Sequence, residues 1–112
     1  MIGIIGQGFV GNAIYQKFKN YFEVLTYDLN SELCNSTLEN ICDSCKTIFV
    51  CLPTPMSENG SCCTDIVEEV LNDIELLTSF EQKEKTIVLK STVSPGTTKK
   101  WNIEFNFLNI VF

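Results

Sequence analysis

Met1–Gly11 reads MIGIIGQGFVG, and the fold follows from how this stretch divides. Ile2, Ile4 and Ile5 make a short apolar run with a single glycine, which suits a strand buried on both faces of a parallel sheet. Gly6, Gly8 and Gly11 then stand in the spacing G-x-G-x-x-G. Val10, Ala13, Ile14 and Phe18 recur at helical spacing and predict a helix from roughly Asn12 to Asn20, packed on the sheet by that stripe. Strand, glycine turn and helix is the context in which this spacing marks a dinucleotide site. Gly6 allows the tight turn, Gly8 lets the backbone approach a pyrophosphate, and Gly11 lets the helix lie close on the strand. The N–H groups and dipole at the helix start then favour the diphosphate. Gly6, Gln7, Gly8, Phe9, Val10 and Gly11 are the candidate cofactor contacts.

Size and composition narrow the class. The chain has 112 residues, a net charge of −6 and no histidine, a length that suits one domain of about 100–150 residues. An acidic balance argues against nucleic acid or an anionic membrane as partner, since both call for clustered Lys and Arg. No apolar run approaches the ~18 residues needed to cross a bilayer. No charged segment with a following apolar run and cleavage site is evident, so the expectation is a cytoplasmic protein. Six cysteines, Cys34, Cys42, Cys45, Cys51, Cys62 and Cys63, stand out. Without a secretion signal a disulfide framework is not expected. Cys42-x-x-Cys45 has no second pair or histidine at zinc spacing, so no metal site is expected. Cys51 falls inside an apolar strand and reads as a small buried hydrophobe.

Further along, Glu23–Tyr27 reads EVLTY, a second strand ending at Asp28, which lies 22 residues after Gly6. That is close to the offset of about 20 at which an acidic residue meets the adenine ribose of a dinucleotide. A carboxylate there accepts hydrogen bonds from both ribose hydroxyls and repels a 2′-phosphate, so Asp28 favours NAD over NADP. A solvated strand-end aspartate is the plainer alternative. Thr37 caps a short helix through Leu38, Ile41 and Cys42. Thr47–Leu52, TIFVCL, is a buried strand halted by Pro53-Thr54-Pro55, and Met56–Cys63 is a loop. Asp65 reads as an N-cap with Glu68 in capping-box relation. The helix runs to about Ser79, with Val67, Val70, Leu71, Ile74 and Leu77 on one face. Another strand spans Lys85 or Thr86 to Lys90 and enters Ser91–Thr98. A short helix begins at Thr97 and runs through Trp101, and Phe107–Phe112, FLNIVF, is the last strand.

Taken together, IGIIGQGFVG, the Asp28 strand end, FVCLPTP with a later Gly60, and KSTVSPGTT resemble the N-terminal domain of the UDP-glucose/GDP-mannose dehydrogenases. The likeness runs nearly the whole chain in the right order. It implies a Rossmann-type, doubly wound, mostly parallel sheet of about five strands with helices on both faces, forming a single domain over residues 1–112. It implies an enzyme that takes a sugar C6 alcohol to a carboxylate in two NAD-dependent oxidations, through a thiohemiacetal on a cysteine. By position, Gly6–Gly11 hold the pyrophosphate and Asp28 the adenine ribose. Pro53 and Thr54 stand beside the dinucleotide, and Thr92 near the nicotinamide, where it helps position a water. From the residues alone, ordinary turn chemistry is the plainer reading of Thr54 and Thr92, and it is the resemblance that reverses it.

The departures matter as much. The family has a longer segment between the ribose aspartate and the PTP strand, which implies that a helix and a strand are trimmed here. A lysine common a few residues after that aspartate is absent, position 33 being leucine, and Cys63 stands where an aspartate often opens the next helix. The family's Asn-Pro-Glu-Phe motif, catalytic cysteine, lysine and asparagine, and nucleotide-sugar pocket all belong beyond Phe112. None of the six cysteines has the family's glycine-rich nucleophile context. The expectation is therefore weak NAD binding without oxidation of UDP-glucose by these 112 residues. Two other readings stay open. One is a stand-alone NAD-binding or regulatory module, a homodimer or the partner of a separate catalytic half. The other is a non-catalytic remnant of the fold. A decarboxylating or β-hydroxyacid dehydrogenase shares the glycine loop but gives no reason for PTP and STV-x-PGTT.

Overall fold

The computed structural model describes residues 1–28, 34–52, 65–79, 85–91, 96–105 and 108–111. Strands and helices alternate along the chain: β1 (Ile2–Ile5), α1 (Phe9–Phe18), β2 (Val24–Tyr27), α2 (Leu38–Ser44), β3 (Thr47–Val50), α3 (Asp65–Ser79), β4 (Lys85–Leu89), α4 (Thr97–Glu104) and β5 (Leu108–Val111). The strands pair in parallel in the order β2-β1-β3-β4-β5. The usual dinucleotide-binding order is 3-2-1-4-5-6. Deleting its outermost strand and renumbering gives the order found here, in line with the short Asp28–Pro53 segment. The winding reverses between β1 and β3, and ligands of such sheets bind beyond the strand carboxyl ends at that point.

The two faces of the sheet differ. One carries the rows Tyr27–Ile5–Val50–Leu89 and Leu25–Gly3–Ile48–Ile87–Ile110. These pack in one continuous core with Leu38, Ile41, Cys42 and Cys45 of α2, Val67, Leu71 and Ile74 of α3, and Trp101 and Phe105 of α4. Trp101 is 1% exposed and fills the centre of α4's contact. The other face carries α1. A Cβ added to Gly3 would lie 2.5 Å from Ile41 Cγ2, so the glycine interrupting β1 is what lets α2 sit close on the sheet.

Several boundaries depart from expectation. α1 starts at Phe9, three residues earlier than Asn12, because the helix begins inside the glycine turn. Its packing stripe is also displaced: Gly11 is buried, Ile14, Tyr15 and Phe18 are half-buried, and Val10 and Ala13 are exposed. A glycine carries no hydrophobic signal, so the apolar residues flanking it drew the stripe one position away. Asp65 is the first helical residue of α3 and not its N-cap. Cys51 follows β3 and is only partly buried. β1 turns away at Gly6, so the ladder on β3 stops at Val50, leaving one further bond from the Cys51 N–H to the Ile5 carbonyl at 2.8 Å. Thr37 caps α2 as expected, its hydroxyl accepting from the Asn40 N–H at 3.2 Å.

Both sheet edges are closed by an asparagine. On β2, the Thr26 N–H donates to Asn35 Oδ1 at 2.7 Å and Asn35 Nδ2 donates to the Val24 carbonyl at 3.2 Å. On β5, Asn102 of α4 accepts from the Ile110 N–H and donates to the Ile110 carbonyl, both at 2.8 Å. A primary amide presents one donor and one acceptor side by side, so it replaces a neighbouring strand's peptide group. An edge left open would invite pairing with another chain. At the opposite end of the sheet, Lys85 is 5% exposed and its Nζ donates to the Cys45 carbonyl at 2.7 Å. That places a cation at the C-terminus of α2, where the helix dipole favours it.

Candidate functional site: a glycine cradle at the switch point

The glycine turn joins β1 to α1 beyond the carboxyl ends of the strands. Gly6 has φ +95°, a left-handed conformation that L side chains avoid. A Cβ there would also lie 2.6 Å from the Cys51 carbonyl oxygen. At Gly11 the added Cβ would stand 1.8 Å from the Gly6 carbonyl oxygen, so helix and turn touch through the missing side chain. At Gly8 it would meet nothing within 4 Å. The three glycines thus differ: two are required by the fold itself, and Gly8 opens on empty space at the helix start.

That opening has the character of an anion site. Gly8 is the N-cap of α1 with no side-chain cap, and the first turn holds no acidic residue. The first-turn N–H groups of a helix lack intrahelical acceptors, and the helix dipole adds partial positive charge. A diphosphate fits such a site, with Gly8 giving its oxygens room to reach the backbone.

Asp28 follows β2 directly and reaches the same turn. Its Oδ2 accepts from the Gln7 N–H at 2.6 Å. A carboxylate expected to receive a ribose therefore also clamps the glycine loop, a link that the offset of 22 residues does not reveal. Gln7 is 9% exposed, and its Nε2 lies 3.5 Å from the Gly6 carbonyl. With its N–H given to Asp28, Gln7 shapes the loop from within. Phe9 and Val10 are 93% and 45% exposed at the mouth of the cradle. Cys34 braces the backbone of Asp28: its thiol accepts from the Asp28 N–H and donates to the Asp28 carbonyl, both at 2.9 Å.

Pro53, Thr54 and Thr92 lie outside the described residues, as do Cys62 and Cys63. Their flanks are described. Buried Ser91, at the end of β4, donates its hydroxyl to the Leu52 carbonyl at 2.7 Å. This bond ties together the chain ends of β3 and β4, the described residues that precede Pro53-Thr54 and Thr92 in sequence. Sequence reading missed Ser91, because a serine before a turn carries no signal of long-range pairing.

The thiols near the site are not activated nucleophiles. Burial pushes Cys51 up to about 11, against a smaller opposing effect of Lys90. Cys42 is likewise pushed up to about 11, chiefly by burial. Burial raises Cys45 as well. A thiol held neutral near pH 7 is a poor nucleophile and a poor metal ligand.

The elements define a parallel α/β dinucleotide-binding domain with its glycine cradle at the switch point. The sequence matches the model of the UDP-glucose/GDP-mannose dehydrogenase family, NAD binding domain, over residues 23–106, and the chain belongs to that family. NAD is accordingly its cofactor. The matched span begins after the glycine turn, so the cradle is a separate indication pointing the same way. The chain is 35% identical over 66 residues to "Putative UDP-glucose 6-dehydrogenase YtcA" of Bacillus subtilis (strain 168), covering 58% of this chain and 14% of that protein. Its fold is similar to a ternary complex of GDP-mannose dehydrogenase from Pseudomonas aeruginosa, with a TM-score of 0.82 at 18% identity, over 97% of this chain and 34% of that one. It is similar also to a UDP-glucose dehydrogenase from the hyperthermophilic archaeon Pyrobaculum islandicum, with a TM-score of 0.80 at 19% identity, over 99% of this chain and 35% of that one. The chain thus spans about a third of the length of these two structures. Among the described residues no helix is long and apolar enough to cross a membrane, and no group of three or more acidic or cysteine side chains is placed to hold a metal.

Proposed function

We propose that this chain is the NAD-binding part of a nucleotide-sugar 6-dehydrogenase of the UDP-glucose type. The observation that carries the reading is the uncapped start of α1 beside Gly8, where a Cβ would meet only open space. In this reading the backbone of Gly6–Gly11 holds the pyrophosphate. Asp28 receives the adenine ribose while keeping the loop in place through the Gln7 N–H. Pro53 and Thr54 stand beside the dinucleotide, and Thr92 orients a water near the nicotinamide. Bound NAD supplies the hydride acceptor for oxidation of a sugar C6 alcohol. The protein's own part is to bind and orient that acceptor and to exclude NADP through the charge of Asp28.

We further propose that these 112 residues bind NAD without completing the oxidation. They contain no histidine, and their described buried thiols are held neutral. Nucleophile, general base and sugar pocket are thus to be sought in sequence of the kind that makes the relatives longer. A reducing, cytoplasmic setting agrees with the free thiols of Cys42, Cys45 and Cys51. The test is to mix the purified chain with NAD and UDP-glucose and follow NADH absorbance. No NADH above a protein-free control is expected, and enzyme-dependent NADH formation overturns the proposal.

A further inference from the structure

The outward edge of β2 is closed by a strap made of Cys34, Asn35 and Ser36. In an extended chain the N–H and C=O of one residue point the same way, so Val24, Thr26 and Asp28 present theirs along this edge. Asn35 Nδ2 donates to the Val24 carbonyl at 3.2 Å, and the Thr26 N–H donates to Asn35 Oδ1 at 2.7 Å. The N–H groups of Asn35 and Ser36 donate to the Thr26 carbonyl at 3.3 and 3.1 Å. Cys34 completes the row, its Sγ accepting from the Asp28 N–H and donating to the Asp28 carbonyl, both at 2.9 Å. A thiol is donor and acceptor at a single atom, so it serves both main-chain groups of one residue. An aliphatic side chain at this position could serve neither.

Asp28 is the residue of this row that lies beyond the paired register. The ladder of β1 with β2 runs from Ile2–Val24 to Ile5–Tyr27, and β1 turns away at Gly6. Asp28 is held on its backbone by Cys34 and on its carboxylate by the Gln7 N–H at 2.6 Å. It therefore bridges the edge strap and the glycine loop. A carboxylate that receives ribose hydroxyls has little tolerance in position, because O–H···O bonds are made at about 2.5–3.0 Å and weaken steeply when bent. Its repulsion of a 2′-phosphate also falls with distance. A displacement of Asp28 by about 1 Å exceeds what a preorganised site tolerates. It would weaken NAD and relieve NADP together.

We propose that Cys34 is a positioning residue for cofactor choice: its thiol fixes the backbone of Asp28 so that the carboxylate holds the glycine loop and meets the adenine ribose. The effect on cofactor choice rests on the reading of Asp28 as the ribose carboxylate, whereas the hold on Asp28 does not. Cys34 acts through Asp28, so removing the thiol should narrow the preference for NAD over NADP. Serine, which also offers a donor and an acceptor at one atom, should preserve it.

Paired calorimetric titrations with NAD and NADP read the cofactor choice, and hydrogen exchange at the Gln7 amide reads the hold on Asp28 with no nucleotide present. In Cys34→Ala the ratio of the two affinities should narrow at least about fivefold, and Gln7 exchange should quicken at least about fivefold, with native circular dichroism. Cys34→Val, which fills the space without a donor or acceptor, should match it and serves where the alanine variant does not fold. Cys34→Ser should keep the wild-type ratio and exchange rate. Asn35→Ala loses its amide bonds to Val24 and Thr26 but keeps the main-chain bonds to the Thr26 carbonyl. It should lose stability and keep the wild-type ratio. A wild type that prefers NAD, with folded Cys34→Ala and Cys34→Val variants that prefer it as strongly, overturns this proposal and leaves the cofactor reading intact. Unchanged Gln7 exchange in those variants, or a ratio narrowed as much by Asn35→Ala, overturns it equally. A wild type that binds neither nucleotide overturns the cofactor reading, and the role in cofactor choice with it.

Discussion

Gly8 and Gly11 make opposite predictions under the same substitution. In Gly11→Ala the new methyl would stand 1.8 Å from the Gly6 carbonyl oxygen and 2.9 Å from its carbon. Side-chain carbons do not approach closer than about 3.0 Å, so helix and turn must part by at least 1.2 Å. The obstructing atom is backbone in a left-handed turn already packed on Cys51, and it cannot rotate away. Overpacking of this kind costs about 1–3 kcal/mol when neighbours yield and more when they do not. A loss of about 3 kcal/mol or more is expected, a large share of the total stability of a small domain. In Gly8→Ala the methyl meets nothing, and φ −71° suits any residue. Stability should change by no more than about 1 kcal/mol, the usual cost of alanine at an N-cap. The same methyl, however, stands in the opening proposed for the diphosphate, and NAD affinity should fall by at least about tenfold, or 1.4 kcal/mol. Urea unfolding and calorimetric titration with NAD on the two variants separate these effects. A Gly8→Ala protein that binds NAD like wild type, or a Gly11→Ala protein of unchanged stability, refutes the division of labour within the cradle.

Three further outcomes follow from particular contacts. Asp28→Asn keeps an acceptor for the Gln7 N–H but removes the charge. Its preference for NAD over NADP should shrink at least about tenfold in paired titrations, with the fold retained. Asn35→Ala and Asn102→Ala each unpair two main-chain groups of an edge strand. Each should cost about 1–3 kcal/mol in urea unfolding and raise aggregation on warming, whereas Asn102→Asp, which keeps an acceptor but loses the donor, should not rescue. Cys42 titrates near 11 in the folded protein against 9.0 when unfolded, so the unfolded chain releases its proton first. Stability is unaffected below about pH 9 and falls as the pH rises from there towards 11, a decline that Cys42→Ala should reduce in urea midpoints across that range.

The sequence and the structure agree most where backbone geometry leaves few options. Parallel strands buried between layers read as continuous β-branched runs, so IGII, TIFV and KTIVL are legible without help. Glycine spacing is legible because a left-handed turn and a helix touching a carbonyl exclude every other residue at Gly6 and Gly11. What stayed hidden depends on contacts between distant residues. Asn35 and Asn102 look like turn and surface residues, yet each does the work of a neighbouring strand. Lys85 looks solvated and is buried, because the end of α2 offers it a carbonyl. The displaced stripe of α1 has the same origin: hydrophobicity marks apolar side chains, while the tightest contact is made by a residue with none. The partial exposure of Phe49 and Val88 was equally invisible, since both read as core in any strand pattern, whichever side is covered. At the candidate site the glycines and Asp28 were readable. The clamp from Asp28 to Gln7 and the tie from Ser91 to Leu52 were not, because neither residue type signals its partner at such separations.

The central claim is that the start of α1 is an NAD site built by these residues. Isothermal titration of the purified chain with NAD tests it most directly. The account predicts saturable binding at one site per chain with a Kd below about 1 mM, or about −4 kcal/mol, reduced at least about tenfold by Gly8→Ala. The absence of binding heat at millimolar NAD, from a chain whose circular dichroism shows it folded, would contradict the account.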